Sequence, residues 1–342
     1  MSRVLVTGGT GFLGSHIVVQ LLQAGHEVCA TVRNMERRAD LHAMIRAGGA
    51  DPSNLMLIEA DLERNVGWQE AATQCDVIMH VASPFPSGHS GNEEAVVRPA
   101  RDGTLRVMQA ARAAGVKRVV MTSSFAAVGY GQPGRRDPFD ESCWSPADAP
   151  DVLPYIKSKI LAERGAWDFS AQHADGPELT VINPTGIFGP VLGHDYASSI
   201  ELVSAMLDGR MPFAPRVHFG VVDVRDVAAL HIAAMAAPQA AGERFIAASG
   251  EPVSMIWLAK FLRQNFGAAA AKAPRLQLPD FLVKFLALFV PALREVVPQL
   301  GIYRQASGEK ARRLLGWKPR STEETILATA KSLLMLYGKA GP

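Results

Sequence analysis

The stretch Val6-Thr7-Gly8-Gly9-Thr10-Gly11-Phe12-Leu13-Gly14 decides the fold, because it joins a β-rich run to a helical one. Arg3 to Thr7 is a short apolar strand. Phe12 to Gln23 has helical spacing, with Leu13, Ile17, Leu21 and Leu22 on one side. Between them the glycines fall as Gly8-x-x-Gly11-x-x-Gly14. Gly8 permits a sharp exit from the strand, Gly11 lets backbone amides approach a pyrophosphate, and Gly14 lets the helix pack closely on a sheet. The amides of Thr10, Gly11, Phe12, Leu13 and Gly14 then surround the helix N-terminus, where unpaired N–H groups and the positive end of the helix dipole favour phosphate. A glycine cluster alone means only a tight turn. Placed between a first strand and a first helix, it predicts a dinucleotide site.

Working outward, strands and helices alternate. His26–Val32, Leu55–Ala60, Asp76–Ala82, Lys117–Thr122 and Glu178–Ile182 read as further strands. Arg98–Ala114 and Leu161–His173 read as helical. Short apolar strands separated by helices imply a parallel sheet covered on both faces. After Asn183 the regularity weakens: Gly186, Gly189, Pro190, Gly193, Gly209, Pro212 and Pro215 crowd one region, β-like runs return at His218–Val222 and Arg244–Ala248, and about 250–335 is mainly helical. The fold class expected is α/β, a Rossmann-type doubly wound parallel sheet with a smaller, mostly helical C-terminal substrate-binding lobe. Residues 1–185 would form the dinucleotide-binding core, with 216–250 returning to it, and 186–215 and 251–342 the lobe.

The end of the second strand selects the dinucleotide. An NAD site usually carries an acid about 20 residues after the turn to accept from the ribose hydroxyls. Here the strand ends Thr31-Val32-Arg33-Asn34. Arg33 offers a planar, permanently charged fork suited to a 2′-phosphate, and Arg37 and Arg38 lie nearby. NADP(H) is therefore preferred, with NAD(H) possible. Asp61 and Leu62, after the third strand, are placed to contact the adenine. Val81, Ala82 and Ser83, after the fourth, would pass beneath the ribose and nicotinamide.

Tyr155 and Lys159 are four residues apart and share a helical face. A free phenol has a pKa of about 10, so it exchanges protons poorly near neutrality. A neighbouring ammonium is expected to lower that value. Tyr155 could then protonate an alkoxide as hydride arrives, while Lys159 reaches the ribose hydroxyls. Alone, such a pair is common. Thr122-Ser123-Ser124 ends the fifth strand on the sheet edge that carries the glycine turn, and a serine there can stabilise charge developing on a carbonyl oxygen. Strand alternation favours Ser124 over Ser123. The nine histidines show no ligand-type pairing, so no metal is expected.

Composition narrows the class further. The chain has 342 residues, 48% hydrophobic and 20% charged, with a formal net charge of +2. That charge gives no reason to expect nucleic acid. Three cysteines, Cys29, Cys75 and Cys143, make no disulfide framework, which suits a cytoplasmic protein. The greasiest stretch, Phe281 to Leu293, is interrupted by Lys284 and Pro291 and is too short to span a bilayer. It reads as a core or interface helix, with a membrane-surface contact as the lesser reading. Phe213, Phe219, Phe281 and Phe285 hint at a hydrophobic pocket, although such residues are more often plain core. The expected partners are a small-molecule carbonyl or alcohol and at most a second copy, as monomer or homodimer.

These residues resemble the extended short-chain dehydrogenase/reductase superfamily, and within it the dihydroflavonol reductase, cinnamoyl-CoA reductase and yeast-type aldehyde reductase group. The pieces that carry the resemblance are the glycine turn, Ala30–Arg33, His80–Phe85, Thr122–Ser124, Tyr155 with Ser158-Lys159, Asn183-Pro184-Thr185, Phe188-Gly189-Pro190 and Val222–Ala228. The resemblance implies catalytic Ser124, Tyr155 and Lys159, an NADPH site including Arg33, Pro184 near the nicotinamide amide, and a substrate pocket between core and lobe. Loops at Phe85–His89, Ser124–Tyr130 and Ile187–Tyr196 would touch the substrate. The implied activity is that of an NAD(P)-dependent oxidoreductase acting on CH–OH or C=O groups. Ile156-Lys157 departs from the plant pattern, which favours a bacterial-style aldehyde or ketone reductase over a flavonoid one. The competing readings are a nucleotide-sugar epimerase or dehydratase, a 3β-hydroxysteroid dehydrogenase, and a non-catalytic dinucleotide-sensing regulator.

Overall fold

The computed structural model describes residues 1–83, 93–132, 134–135, 137–195 and 197–338. Among the described residues the strands are β1 (Arg3–Thr7), β2 (Glu27–Val32), β3 (Leu55–Glu59), β4 (Val77–His80), β5 (Arg118–Thr122), β6 (Glu178–Pro184), β7 (Gly186–Phe188), β8 (His218–Phe219), β9 (Val221–Asp223), β10 (Arg244–Ala247) and β11 (Val253–Ser254). The main helices are α1 (Phe12–Gln23), α2 (Arg38–Ala47), α3 (Trp68–Ala72), α4 (Glu94–Ala113), α5 (Ala126–Gly129), α6 (Pro154–Gln172), α7 (Ser198–Asp208), α8 (Val224–Ala236), α9 (Met255–Phe266), α10 (Asp280–Leu286), α11 (Pro291–Arg294), α12 (Glu309–Leu315) and α13 (Thr322–Leu336).

Seven strands make one sheet in the order β10-β6-β5-β4-β1-β2-β3, every pairing parallel. The order reverses beside β1, so the crevice at its carboxyl end is the ligand-binding edge of a doubly wound sheet. The strands are apolar on both sides because helices cover both faces. Val4, Val6, Val28 and Ala30 pack toward α1 and α8; Leu5, Cys29, Ile78 and Val119 pack toward α3, α4 and α6. The first of these cores continues without a break into Leu258 of α9 and Leu333 of α13.

Several boundaries differ from the sequence expectation. Helix α4 begins at Glu94 rather than Arg98, and Pro99 is absorbed within its second turn. Helix α6 contains the expected stretch from Leu161 together with Tyr155 and Lys159 and starts at Pro154, since proline is tolerated in the first turn, where its missing N–H has no helical partner. The run His218–Val222 is two strands in two different small sheets. They part at Gly220, where a Cβ would lie 2.8 Å from the Thr185 side chain.

The stretch from Phe281 to Leu293 is not a core helix. It breaks into α10 and α11, and Phe281, Phe285, Leu288 and Phe289 are 56–74% exposed. Phe213 is also exposed, while Phe219 stacks on Phe188 with ring centroids 5.7 Å apart. Among the described residues no helix is long and apolar enough to cross a membrane.

Candidate active site

The glycine turn is anchored on β2. Gly8 donates its N–H to Thr31 Oγ1 at 3.1 Å, and Gly9 donates to the Thr31 carbonyl at 3.1 Å. Gly8 has φ +70°, a left-handed conformation that side chains resist, and a Cβ there would lie 3.0 Å from Ala82 Cα. The Gly11 N–H closes the turn on the Gly8 carbonyl at 2.9 Å. A Cβ on Gly14 would sit 2.2 Å from that same carbonyl oxygen, so α1 docks on the turn as closely as backbone allows. Phe12 and Leu13 bury their side chains in the core, leaving their amides at the helix mouth. No side chain caps α1. Thr10 is half-buried within the same turn. An uncapped helix N-terminus behind a glycine cradle fits a pyrophosphate.

Thr7 joins the loop after β4 to this cradle. Its Oγ1 accepts from the Val81 and Ala82 amides at 3.0 and 2.9 Å and pairs with His80 Nδ1 at 3.0 Å. Val81, Ala82 and Ser83 are therefore beside the turn, each half-buried. Pro84, the loop Phe85–His89 and Tyr196 lie outside the described residues. Asp61 turns its Oδ1 to the Glu63 amide at 3.0 Å, and Leu62 is buried. Arg33 is exposed at the carboxyl end of β2, as is Arg38. Arg37 does not join them: its guanidinium is held by Asp40 at 2.7 Å and Asp195 at 2.8 Å.

The second half of the site forms where β5 and β6 end against α6. Tyr155 sits in the first turn of α6, and Lys159 follows one turn on, its Nζ 5.8 Å from the centre of the phenol ring. The Ser124 hydroxyl is hydrogen-bonded to the Tyr155 phenol. Ser123 faces the other way, donating to Glu163 Oε2 at 2.5 Å. Pro184 is buried at the end of β6 and accepts the Phe125 amide at 2.9 Å.

Burial governs the titration of this pair. The Lys159 ammonium, 8% exposed, is pushed down to about 8 by desolvation, against the upward pull of Glu163. The Tyr155 phenol is pushed up to about 12, first by burial and then by the neighbouring Tyr130, against the Ser124 hydrogen bond. The phenol is thus raised rather than lowered as expected, because burial, which penalises the phenolate, is the largest effect on it. His80, behind Lys159, is pushed down to about 3 by burial and by that ammonium.

Sequence reasoning missed the polar cluster under these residues. Glu163 is fully buried and is met by Ser123, by Asn183 Nδ2 at 2.7 Å and by Arg244 Nε at 2.6 Å. The Arg244 guanidinium lies 3.7 Å from the centre of the Trp144 ring. The available signal was the spacing Tyr155, Lys159, Glu163, three titratable groups at successive turns of one helix. Among the described residues no group of three or more His, Cys, Asp or Glu side chains could hold a metal ion.

The chain is 32% identical over 300 residues to ketoreductase azaE of Aspergillus niger, covering 82% of this chain and 87% of that protein. It is 32% identical over 335 residues to cinnamoyl-CoA reductase CAD2 of Medicago truncatula, covering 96% and 95%. Its fold matches the crystal structure of yeast methylglyoxal/isovaleraldehyde reductase Gre2 complexed with NADPH, with a TM-score of 0.80 at 26% identity over 99% of this chain and 100% of that one. The model of the NAD dependent epimerase/dehydratase family matches residues 4–248, from the first strand through the last strand of the main sheet. The chain belongs to this family, in its extended short-chain dehydrogenase/reductase branch.

Proposed function

We propose that the protein is an NADPH-dependent carbonyl reductase that converts an aldehyde or ketone to an alcohol, with Tyr155 as proton donor. The observation that carries this reading is the Ser124–Tyr155 hydrogen bond with Lys159 beneath it, on the sheet edge that holds the glycine cradle. Reductases among the relatives, and the NADPH in the Gre2 crystal structure, support it. The amides of Gly11 to Gly14 would hold the pyrophosphate and Arg33 the 2′-phosphate, with Val81–Ser83 and Pro184 flanking the nicotinamide end. Residues 186–215 and 251–342 would cover the carbonyl substrate.

Bound NADPH supplies hydride to the carbonyl carbon. Ser124 donates a hydrogen bond to the carbonyl oxygen and so favours the charge that grows there. Tyr155 delivers its phenolic proton to that oxygen. A phenol held up to about 12 is fully protonated at neutral pH, the form a reductase needs, and the Lys159 ammonium stabilises the phenolate left behind. The test is NADPH oxidation, followed at 340 nm, with a panel of aldehydes, ketones and diketones, run in parallel with NADH. Turnover with NADPH on at least one class is expected. Tightly held dinucleotide with no consumption on any carbonyl would favour the epimerase reading and overturn this one.

A further inference from the structure

Four elements converge on the Glu163 carboxylate. It lies on α6, two turns beyond Tyr155 and one beyond Lys159. From the end of β5 it receives the Ser123 hydroxyl at 2.5 Å; from β6, Asn183 Nδ2 at 2.7 Å; from β10, the Arg244 guanidinium at 2.6 Å. Asn183 also donates to the Ser124 carbonyl at 3.2 Å. One carboxylate is therefore tied to the residue before Ser124 and, through Asn183, to the Ser124 backbone itself.

A buried anion is retained at a cost unless its lone pairs are filled, and here they are filled by groups that hold the reacting residues. Among the described residues Arg244 is the only full countercharge within bonding distance, and its other contacts, the Glu141 and Cys143 carbonyls at 2.9 Å, hold it in place. Lys159 is faced by Tyr155 and Glu163 on its own helix and by His80 from β4. His80 and Tyr155 are neutral near pH 7, so Glu163 is the anion that favours the ammonium.

We propose that Glu163 is a positioning residue of the reduction site, fixing Ser124 against Tyr155 and holding Lys159 in its charged form. This rests on the proposed function for its kinetic consequence, and for its effect on Lys159 on the one-turn spacing of two buried side chains on α6, with Glu163 pulling the lysine upward. An ion pair that served only stability would leave the turnover of folded enzyme unchanged.

The experiment uses the full chain and Glu163→Gln, which keeps the side-chain shape and removes the charge. Competitive acetylation across a pH series, read at Lys159 by mass spectrometry, gives the titration midpoint of that lysine without reference to activity. The midpoint is expected to fall by about half a unit or more, since an anion one helical turn away is lost from a poorly screened site. With the best carbonyl found, kcat is expected to fall at least about tenfold while NADPH affinity stays within about twofold, because only the transition state uses the serine, tyrosine and lysine together. Glu163→Gln leaves the Arg244 charge unpaired. Glu163→Gln/Arg244→Gln, with no stranded charge, is therefore carried beside it and read the same way. An unmoved Lys159 midpoint in folded protein overturns the proposal. A wild-type protein inert on every carbonyl overturns the proposed function instead, and the Lys159 titration then decides on Glu163 alone.

Discussion

The glycines of the turn divide into those that shape it and those that leave room for a ligand, and two alanine substitutions separate them. A Cβ on Gly14 would lie 2.2 Å from the Gly8 carbonyl oxygen and 3.0 Å from its carbon, both backbone atoms with no freedom to swing aside. Restoring ordinary contact at about 3.4 Å needs a shift of roughly 1 Å between α1 and the turn. That shift stretches the Gly11-to-Gly8 hydrogen bond, now 2.9 Å. Overpacking of about 1–3 kcal/mol and a weakened hydrogen bond of about 1 kcal/mol sum to roughly 2–4 kcal/mol. With unfolding entropy near 2.1 cal/mol/K per residue, that lowers Tm by about 3–6 °C. A Cβ on Gly11 meets only the Gly8 oxygen, at 3.3 Å, so Gly11→Ala loses little beyond the helix-cap preference for glycine, less than about 1 kcal/mol. It does, however, fill the approach to the helix mouth. NADPH affinity, followed by quenching of protein fluorescence, is expected to weaken at least about tenfold in Gly11→Ala with Tm near wild type, whereas Gly14→Ala loses both. Wild-type NADPH affinity in Gly11→Ala, or wild-type Tm in Gly14→Ala, would refute the division of roles.

Replacing Tyr155 by Phe removes the transferable proton and is expected to lower kcat by about 10²–10⁴-fold with NADPH affinity nearly intact, measured by steady-state kinetics and direct titration. Arg33→Ser is expected to raise KM for NADPH about tenfold or more and leave KM for NADH little changed, because only the former carries a 2′-phosphate; equal effects on both would discard the assignment. Acid stability follows from His16, His80 and His231, all buried and pushed down to about 4, 3 and 4. Their folded values lie below the unfolded one, so each contributes stability above pH 6.5 that is lost as pH falls toward 4. Denaturant unfolding should therefore show stability dropping across that window by as much as about 4 kcal/mol per pH unit if all three titrate together. A flat profile there would mean that the three sites admit protons without unfolding.

Much of the sheet was legible because parallel strands buried on both faces write themselves as unbroken apolar runs. Val4-Leu5-Val6 and Val119-Val120-Met121 have no exposed side to alternate with. Helix starts were harder. Pro99 argues locally against a helix, yet it is accommodated in the second turn of α4, whereas Pro154 suits the first turn of α6. The site residues Gly8, Gly14, Ser124, Tyr155 and Lys159 could be proposed because their spacing follows from local geometry. The Glu163 cluster could not, since Ser123, Asn183 and Arg244 come to it from three strands whose adjacency exists only in the folded sheet. Charge partners were equally hidden: nothing in the sequence ties Arg37 to Asp195, 158 residues away, yet that contact removes one of the cations available near Arg33.

The sign error on Tyr155 carries the more general lesson about the chemistry. An ammonium beside a phenol lowers its pKa when both are in water, and the sequence supplies only that pairwise statement. Inside the protein each charge is also priced against its lost hydration, and the two effects oppose one another. Here burial prevails for both partners, moving the phenol up to about 12 and the ammonium down to about 8. The resting pair therefore holds its protons as neutral phenol and, below about pH 8, charged lysine. That is the state from which a proton can be given to a nascent alkoxide. Running the reaction from alcohol to carbonyl needs the phenolate first, and burial opposes its formation. Burial thus leaves the phenol protonated near neutrality, the form in which the proposed reduction would use it, while Glu163 pulls the Lys159 ammonium upward against desolvation.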